Sequence, residues 1–246
     1  MAARRGHLVL GGRSSDEERE MVGGTGRFAA GSLERHRLAA RRAVDQGDAE
    51  GLLPVERFAS REAAVRWAQS VVAGSDSVFL DTETTGLDGA AEVVDIAVVA
   101  SNGRVLLDTL VRPRRQIPLT ATLIHGIRDE HVISAPAWPE VVDHLVAILR
   151  ERHVVVYNAA FDRPLVNQCC AAHGLPVVAR DWSCAMMAFA AFHGEWNARR
   201  SGYRWHKLEV AVGRFGGQPG GHRALGDAMA CRAVVNGMAA MEDDGQ

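Results

Sequence analysis

The chain carries a single lysine, Lys207, among its 28 Lys and Arg residues, so nearly every fixed positive charge is an arginine. Against 30 Asp and Glu the formal net charge is −2, which excludes a protein that grips nucleic acid through a bulk cationic surface. A local site stays open, because a bound metal ion can supply positive charge where the chain has none. Long apolar runs are missing as well. The stretch 93–100 is broken by Asp95 and falls far short of the roughly 20 residues that a membrane span requires. Leu8-Val9-Leu10 is too short for a signal-peptide core, although Arg4 and Arg5 precede it. The expected location is the cytoplasm, with no membrane partner. Cysteines are few: Cys169, Cys170, Cys184 and Cys231, with no Cys-x-x-Cys spacing. The adjacent pair 169–170 sits in a helical pattern where it cannot readily close a disulfide, so reduced, buried thiols are expected.

What is present is a globular composition, 47% hydrophobic and 24% charged over 246 residues, with room for one sizeable core and an appendage. Residues 1–52 are the appendage. They are rich in Arg, Gly and Ser and poor in large apolar side chains, and read as disordered or loosely docked, with one short helix expected over 33–44. Gly23-Gly24-Thr25-Gly26 has no strand before it and no Gly-Lys-Ser/Thr after it, so it reads as a flexible loop and not a phosphate cradle.

The folded part runs over 53–246. Ser60 is placed to cap a helix carrying Ala64, Trp67, Ala68 and Val71. Three strand-like runs follow over 77–84, 92–100 and 104–111, the last two joined by the hairpin turn Asn102-Gly103. After a Pro-punctuated stretch, a helix is expected over 141–150 and a β-branched strand over 153–157. Helices then read over 161–173, 184–192, 206–215 and 223–241, with a polar Arg/Gly/Trp loop before 206 and a glycine-rich turn at 216–221. Antiparallel strands followed by alternating helices and strands describe an α/β fold, a mixed sheet with helices packed on it.

Asp81-Thr82-Glu83 ends an apolar strand. Side chains alternate faces along a strand, so Asp81 and Glu83 point the same way, about 6.5–7 Å apart. Two carboxylates on one face of an apolar strand are costly unless a cation sits between them. The spacing alone is uninformative: 15 Asp and 15 Glu in this chain give about one such match by chance. Three occur, and Asp16/Glu18 and Asp48/Glu50 lie in the polar N-terminal region as solvated charge. Asp162 follows the strand 153–157 within Asn158-Ala159-Ala160-Phe161-Asp162, where a strand ends and a helix starts. It fits both a ligand site at the carboxyl edge of the sheet and a plain helix-dipole partner. His222 precedes Asp227 by five residues, a step that turns about 140° net on a regular helix. The two share a site only if the glycine-rich turn keeps His222 out of the helix.

In order and local context these elements resemble the histidine subtype of the DEDD exonucleases, the RNase H-like 3′–5′ exonucleases that include the proofreading subunit of bacterial DNA polymerase III. The resemblance runs from about 77 to 241 and extends to the loop 121–127 and the His206-Lys207-Leu208 helix start. The tyrosine subtype places a tyrosine four positions before the last aspartate; Arg223 stands there. Tyr157 stands where histidine is frequent in the family, Asp95 where glutamate is frequent, and Gly226 puts a flexible residue beside Asp227.

The resemblance implies an RNase H-like mixed five-stranded sheet flanked by helices, and hydrolysis of phosphodiester bonds at 3′ ends of single-stranded or frayed nucleic acid, DNA ahead of RNA. It implies two Mg²⁺ ions, replaceable by Mn²⁺, held by Asp81, Glu83, Asp162 and Asp227, with His222 as general base. Thr84, Thr85, Gly86 and Leu87 then meet the terminal nucleotide, and His125, Asn158 and Phe161 line the site, though hydrogen bonding or core packing accounts for these three as well. Trp182, Trp196 and Trp205 read as packing residues, Arg199, Arg200 and Arg204 as a basic loop, and His193 and His206 lack metal-ligand spacing. A DNA polymerase is a candidate partner. Two other readings are a small-RNA-trimming exoribonuclease and a nucleic-acid-binding or polymerase-docking module without catalysis.

Overall fold

Ser60 opens the first helix by accepting a hydrogen bond on its hydroxyl from the Ala63 N–H at 3.3 Å, and α1 (Arg61–Ala73) buries Ala64, Val65, Ala68 and Val71. The computed structural model describes residues 58–176, 178, 181–199 and 201–241; the expectations for 1–52 lie outside the described residues. Strands β1 (Ser77–Thr84), β2 (Val93–Ala100) and β3 (Val105–Leu110) form an antiparallel meander, and β4 (His153–Val156) and β5 (Trp182–Cys184) add in parallel to give the order β3-β2-β1-β4-β5. At the β2–β3 turn Gly103 takes a φ of 88°, and the Asn102 side chain accepts from the Arg104 N–H at 3.0 Å. This is the five-stranded mixed sheet that the resemblance implies.

Helices α2 (Leu119–His125), α3 (Asp129–Val132) and α4 (Trp138–Leu149) follow the meander; α5 (Ala159–Ala172) follows β4 and α6 (Ala185–His193) follows β5. A small hairpin, β6 (Trp196–Asn197) with β7 (Gly202–Tyr203), leads to α7 (Leu208–Gly213) and α8 (Ala224–Ala239). The alternation of β1 sorts its neighbours. Val78 and Leu80 point to a core built with α4 and α5, whereas Phe79 points to one built with α1, α6, α7 and α8. A third, smaller cluster seats α2 and α3 against Val94. All four cysteines are free and buried.

Several elements differ from their sequence reading. Helix α4 starts at Trp138, three residues early, because Pro139 fits the first turn of a helix, where no N–H is required. The helix expected over 206–215 is only Leu208–Gly213, and the polar loop before it contains the β6–β7 hairpin. The three-residue β5 and the short α2 and α3 are too brief to show a period. Among the described residues no helix is long and apolar enough to cross a membrane.

Candidate active site

Strand parity places the first two acids. Asp81 and Glu83 share the face of Phe79, toward α8, and Asp227 comes to them from the first turns of α8. Asp162 arrives from the opposite layer, in the first turn of α5 at the carboxyl edge of the sheet, where β1 and β4 run parallel. It is 3% exposed, and the Thr82 hydroxyl donates to its Oδ1 at 2.8 Å. Thr82 points to the α5 side of the sheet, so it ties the buried aspartate to the strand that carries the other two acids.

His222 completes the group. Its φ is +56°, a left-handed conformation uncommon outside glycine, and Gly221 before it takes +76°. These two residues turn the chain so that the imidazole stays outside the helix and faces back to the sheet. One ligand atom each from Glu83, His222 and Asp227 lie within 4.8 Å of one another. The five-residue step that a regular helix would split thus converges on one site. The His222 side chain is half exposed, with its Nε2 3.8 Å from Glu209 Oε1 on α7.

Gly226 has a packing reason. A Cβ there would run into the backbone of Gly220, and a Cβ at Gly220 would run into the backbone of Gly226 and Asp227. The two glycines let the loop before His222 lie directly on the first turn of α8, and the Gly220 N–H donates to the Asp227 carboxylate. The departure from the family pattern at Gly226 is therefore a contact that sets the register of His222 against Asp227.

Two further residues organise the site, and the sequence reading assigned them no role. Asp95 lies directly across from Glu83 in the β1–β2 ladder and is 1% exposed. Its Oδ2 accepts from Arg223 Nε at 2.8 Å and from the Ala224 N–H at 3.3 Å, which pins the start of α8 to the sheet. Facing carboxylates on one side of a ladder repel, and the Arg223 guanidinium offsets this for Glu83 as well as for Asp95. Its sequence signals were an acid inside an otherwise apolar strand and a family position where glutamate is frequent. The other residue, Thr82, gave no signal, since parity directs it away from Asp81 and Glu83.

The residues expected to meet a nucleotide sit around this centre. Thr84 and Thr85 are held within the chain: the Thr84 hydroxyl donates to Gly86 O at 2.7 Å, and Thr85 Oγ1 accepts from the Glu92 N–H at 2.9 Å. Leu87 is 87% exposed, and a Cβ at Gly86 would meet open space. His125 is buried, with Nδ1 accepting from the Ile127 N–H at 3.0 Å. Its Nε2–H therefore donates to Thr84 O at 3.1 Å, and both ring nitrogens are committed to backbone. Asn158 caps α5, and Phe161 packs partly buried against the α4–α5 core. Trp196 and Trp205 are more than half exposed, while Trp182 packs against the core. Of the basic loop, Arg204 pairs with Glu195 at 2.8 Å, and Arg200 is outside the described residues.

Electrostatics show what the arrangement is strained by. Burial, then the charges of Asp162, Asp227 and Glu83, push the Asp81 carboxyl well above its usual range. Burial and the neighbouring acids push Glu83 up to about 8, and burial pushes Asp162 up to about 7. Burial also raises Asp227, with His222 opposing. Four carboxylates that resist ionisation together offer hard oxygen donors, and a divalent cation fits that donor set.

The sequence matches the RNase_T family, described as exonuclease, over residues 78–235. The chain belongs to this exonuclease family. It is 39% identical over 172 residues to the uncharacterized exonuclease CP81 of Escherichia phage 186, a match covering 67% of this chain and 88% of that protein. A 99-residue match to DNA polymerase III subunit epsilon of Escherichia coli K12 is 34% identical and covers 35% of this chain but only 39% of the subunit. The nuclease domain of 3′hExo, a DEDDh family member bound to rAMP, shares the fold with a TM-score of 0.52 at 17% identity, over 67% of this chain and 92% of that one. The exonuclease is thus a hydrolase of nucleic acid, with the histidine-subtype resemblance carried by its own Asp81, Glu83, Asp162, His222 and Asp227.

Two outcomes follow for the exonuclease. Glu83 and Asp162 hold protons in the folded state that the unfolded chain releases near pH 4. Folded protein therefore binds more protons between about pH 4 and 8, and the metal-free enzyme loses stability as pH rises through that window. The expected loss is a few kcal/mol, from buried Asp81 and Asp162, with a smaller share from Glu83 because solvent partly screens it. Denaturant titrations at pH 5, 7 and 8.5 in EDTA check this; a flat profile, or one that Mg²⁺ leaves unchanged, contradicts it. Separately, Gly226→Ala is expected to destabilise by about 1–3 kcal/mol through overlap with Gly220, which outweighs the roughly 1 kcal/mol helix-propensity gain of alanine. Thermal unfolding and turnover of that variant should fall together; a more stable, fully active variant would refute the contact.

Proposed function

We propose that this exonuclease removes nucleotides from the 3′ ends of single-stranded or frayed nucleic acid, DNA in preference to RNA, using two Mg²⁺ ions for which Mn²⁺ can substitute. The observation that carries the reading is the convergence of Glu83, His222 and Asp227, with Asp81 beside them and Asp162 behind. When bound, the ions supply Lewis-acid polarisation of the phosphodiester, acidify a water and neutralise the leaving oxygen.

In this proposal Asp81, Glu83 and Asp227 would hold one ion, and Asp81 and Asp162 would help to hold the second. His222 takes the proton from the attacking water, a role that its half-exposed ring on a fixed left-handed turn supports. The segment Thr84-Thr85-Gly86-Leu87 receives the terminal nucleotide, and His125 positions it by holding the Thr84 carbonyl. Leu87, nearly fully exposed, offers an apolar edge to a base or sugar, and Asn158 and Phe161 line the site from the start of α5. The preference for DNA and a DNA polymerase as partner rest on the epsilon-subunit relatives. Placement in the cytoplasm fits four buried free thiols.

A cleavage assay on 5′-labelled single-stranded DNA and RNA, with Mg²⁺, Mn²⁺ or EDTA, tests the reading. The expected result is a metal-dependent ladder of shortening products, faster on DNA. Faster RNA shortening would reassign the substrate to an exoribonuclease role, and label released as a mononucleotide would reverse the polarity.

A further inference from the structure

His193 and His206 are thirteen residues apart and show no ligand spacing, yet the fold brings them together. His193 ends α6, His206 lies just before α7, and the β6–β7 hairpin folds the intervening chain back on itself. The Arg204 N–H donates to Glu195 O at 2.8 Å in that hairpin, which sets Glu195 beside the start of α7. The two imidazole rings stand 4.2 Å apart between centroids, both against the buried ring of Phe189. One ligand atom each from His193, Glu195 and His206 lie within 4.8 Å of one another.

A second observation concerns the atoms themselves. His206 Nε2 is shut off from solvent and has no hydrogen-bond partner among the described residues. The nearest acid oxygen, Glu195 Oε2, is 3.8 Å away, too far for a hydrogen bond. Two ligands on a tetrahedral zinc, each bonded at about 2.0–2.1 Å, stand about 3.4 Å apart, so small side-chain shifts would let one ion join them. Arg204 occupies the other oxygen, Glu195 Oε1, at 2.8 Å and leaves Oε2 directed at His206. Burial and the neighbouring His193 hold His206 below the usual imidazole range, which favours the neutral ligand form.

We infer that His193, Glu195 and His206 form a zinc site that clasps the end of α6 to the start of α7 around the β6–β7 hairpin. Two imidazoles and one carboxylate select a borderline transition metal over Mg²⁺, unlike the all-oxygen centre, with which this triad shares no residue. Glu195 and His193 are solvent-exposed, so the fourth position is open to water. The clasp is tied to the chain leaving the sheet, because Tyr157, just after β4, donates its hydroxyl to His206 O at 2.8 Å.

The test is a Co²⁺ titration of chelator-treated full-length protein in excess Mg²⁺, read by visible absorption. One equivalent is expected to give the intense bands of a tetrahedral or five-coordinate nitrogen–oxygen site, and Zn²⁺ should bleach them. Asp81→Asn should keep the bands, while His193→Gln and Glu195→Gln, both exposed positions, should each weaken binding by at least about tenfold. Circular dichroism verifies that the variants are folded, and either one suffices if the other is not. Absence of the bands, their loss in Asp81→Asn, or their survival in both folded triad variants would overturn the site.

Discussion

Asp81→Ala is expected to abolish metal-dependent cleavage, a fall of at least about a thousand-fold, while making the metal-free protein more stable. The two effects have one origin. The Asp81 carboxyl is raised by burial and then by the charges of Asp162, Asp227, Glu83 and Asp95. Deleting it removes repulsion that only a cation offsets, so a gain on the order of 1–2 kcal/mol in EDTA is expected near pH 8. The gain should vanish or reverse in saturating Mg²⁺, because the variant no longer benefits from the ion. Denaturant titration with and without Mg²⁺, alongside the oligonucleotide assay, measures both. A variant that unfolds, or one that still cuts at wild-type rate, would show that Asp81 serves the fold and not the metal.

His222→Ala is expected to lower turnover by about 10²–10⁴-fold and to leave metal binding intact. The left-handed backbone at His222 supplies an internal control. His222→Gly removes the same imidazole but also relieves a conformation that costs a side-chain-bearing residue about 1–2 kcal/mol. The glycine variant should therefore be as inactive as the alanine variant yet more stable than it. Calorimetric Mn²⁺ titration separates the roles: unchanged affinity supports a proton acceptor, and lost affinity would make His222 a ligand. Equal stability of the two variants would mean that the turn relaxes and does not hold the imidazole in place.

How much of this was legible depends on the length scale of each signal. Strand β1 could be read to its last residue, because apolar alternation ending in Asp81-Thr82-Glu83 is a local pattern. The long helices were legible within a few residues, and Ser60 was found as a cap from its residue type alone. Three-residue β5 and seven-residue α2 were not, since neither spans enough chain to repeat a period. In the site, the acids and His222 could be listed from order and context. The ties that orient them could not, because Thr82 to Asp162 and Asp95 to Arg223 join residues 80 and 128 positions apart. The opposing glycines at 220 and 226 are a three-dimensional contact that a linear reading records only as a weak spot in a helix. The closeness of His193 and His206 was hidden for the same reason, since a two-stranded hairpin and not helical spacing brings them together.

The order in which the acids occur along the chain has a consequence in time. Asp81, Asp162 and Asp227 come from three segments, and Asp227 rides on α8, whose inner face packs against the first described helix, α1. Until that closing contact forms, a chain emerging from synthesis holds Asp81 and Glu83 without the aspartate and histidine that complete the centre. On the proposed assignment, an intermediate lacking a docked α8 holds no complete centre, and cutting begins only once α8 has docked. Activity consequently reports on completion of the whole domain: in a refolding reaction it should lag the recovery of sheet structure and rise together with burial of α8.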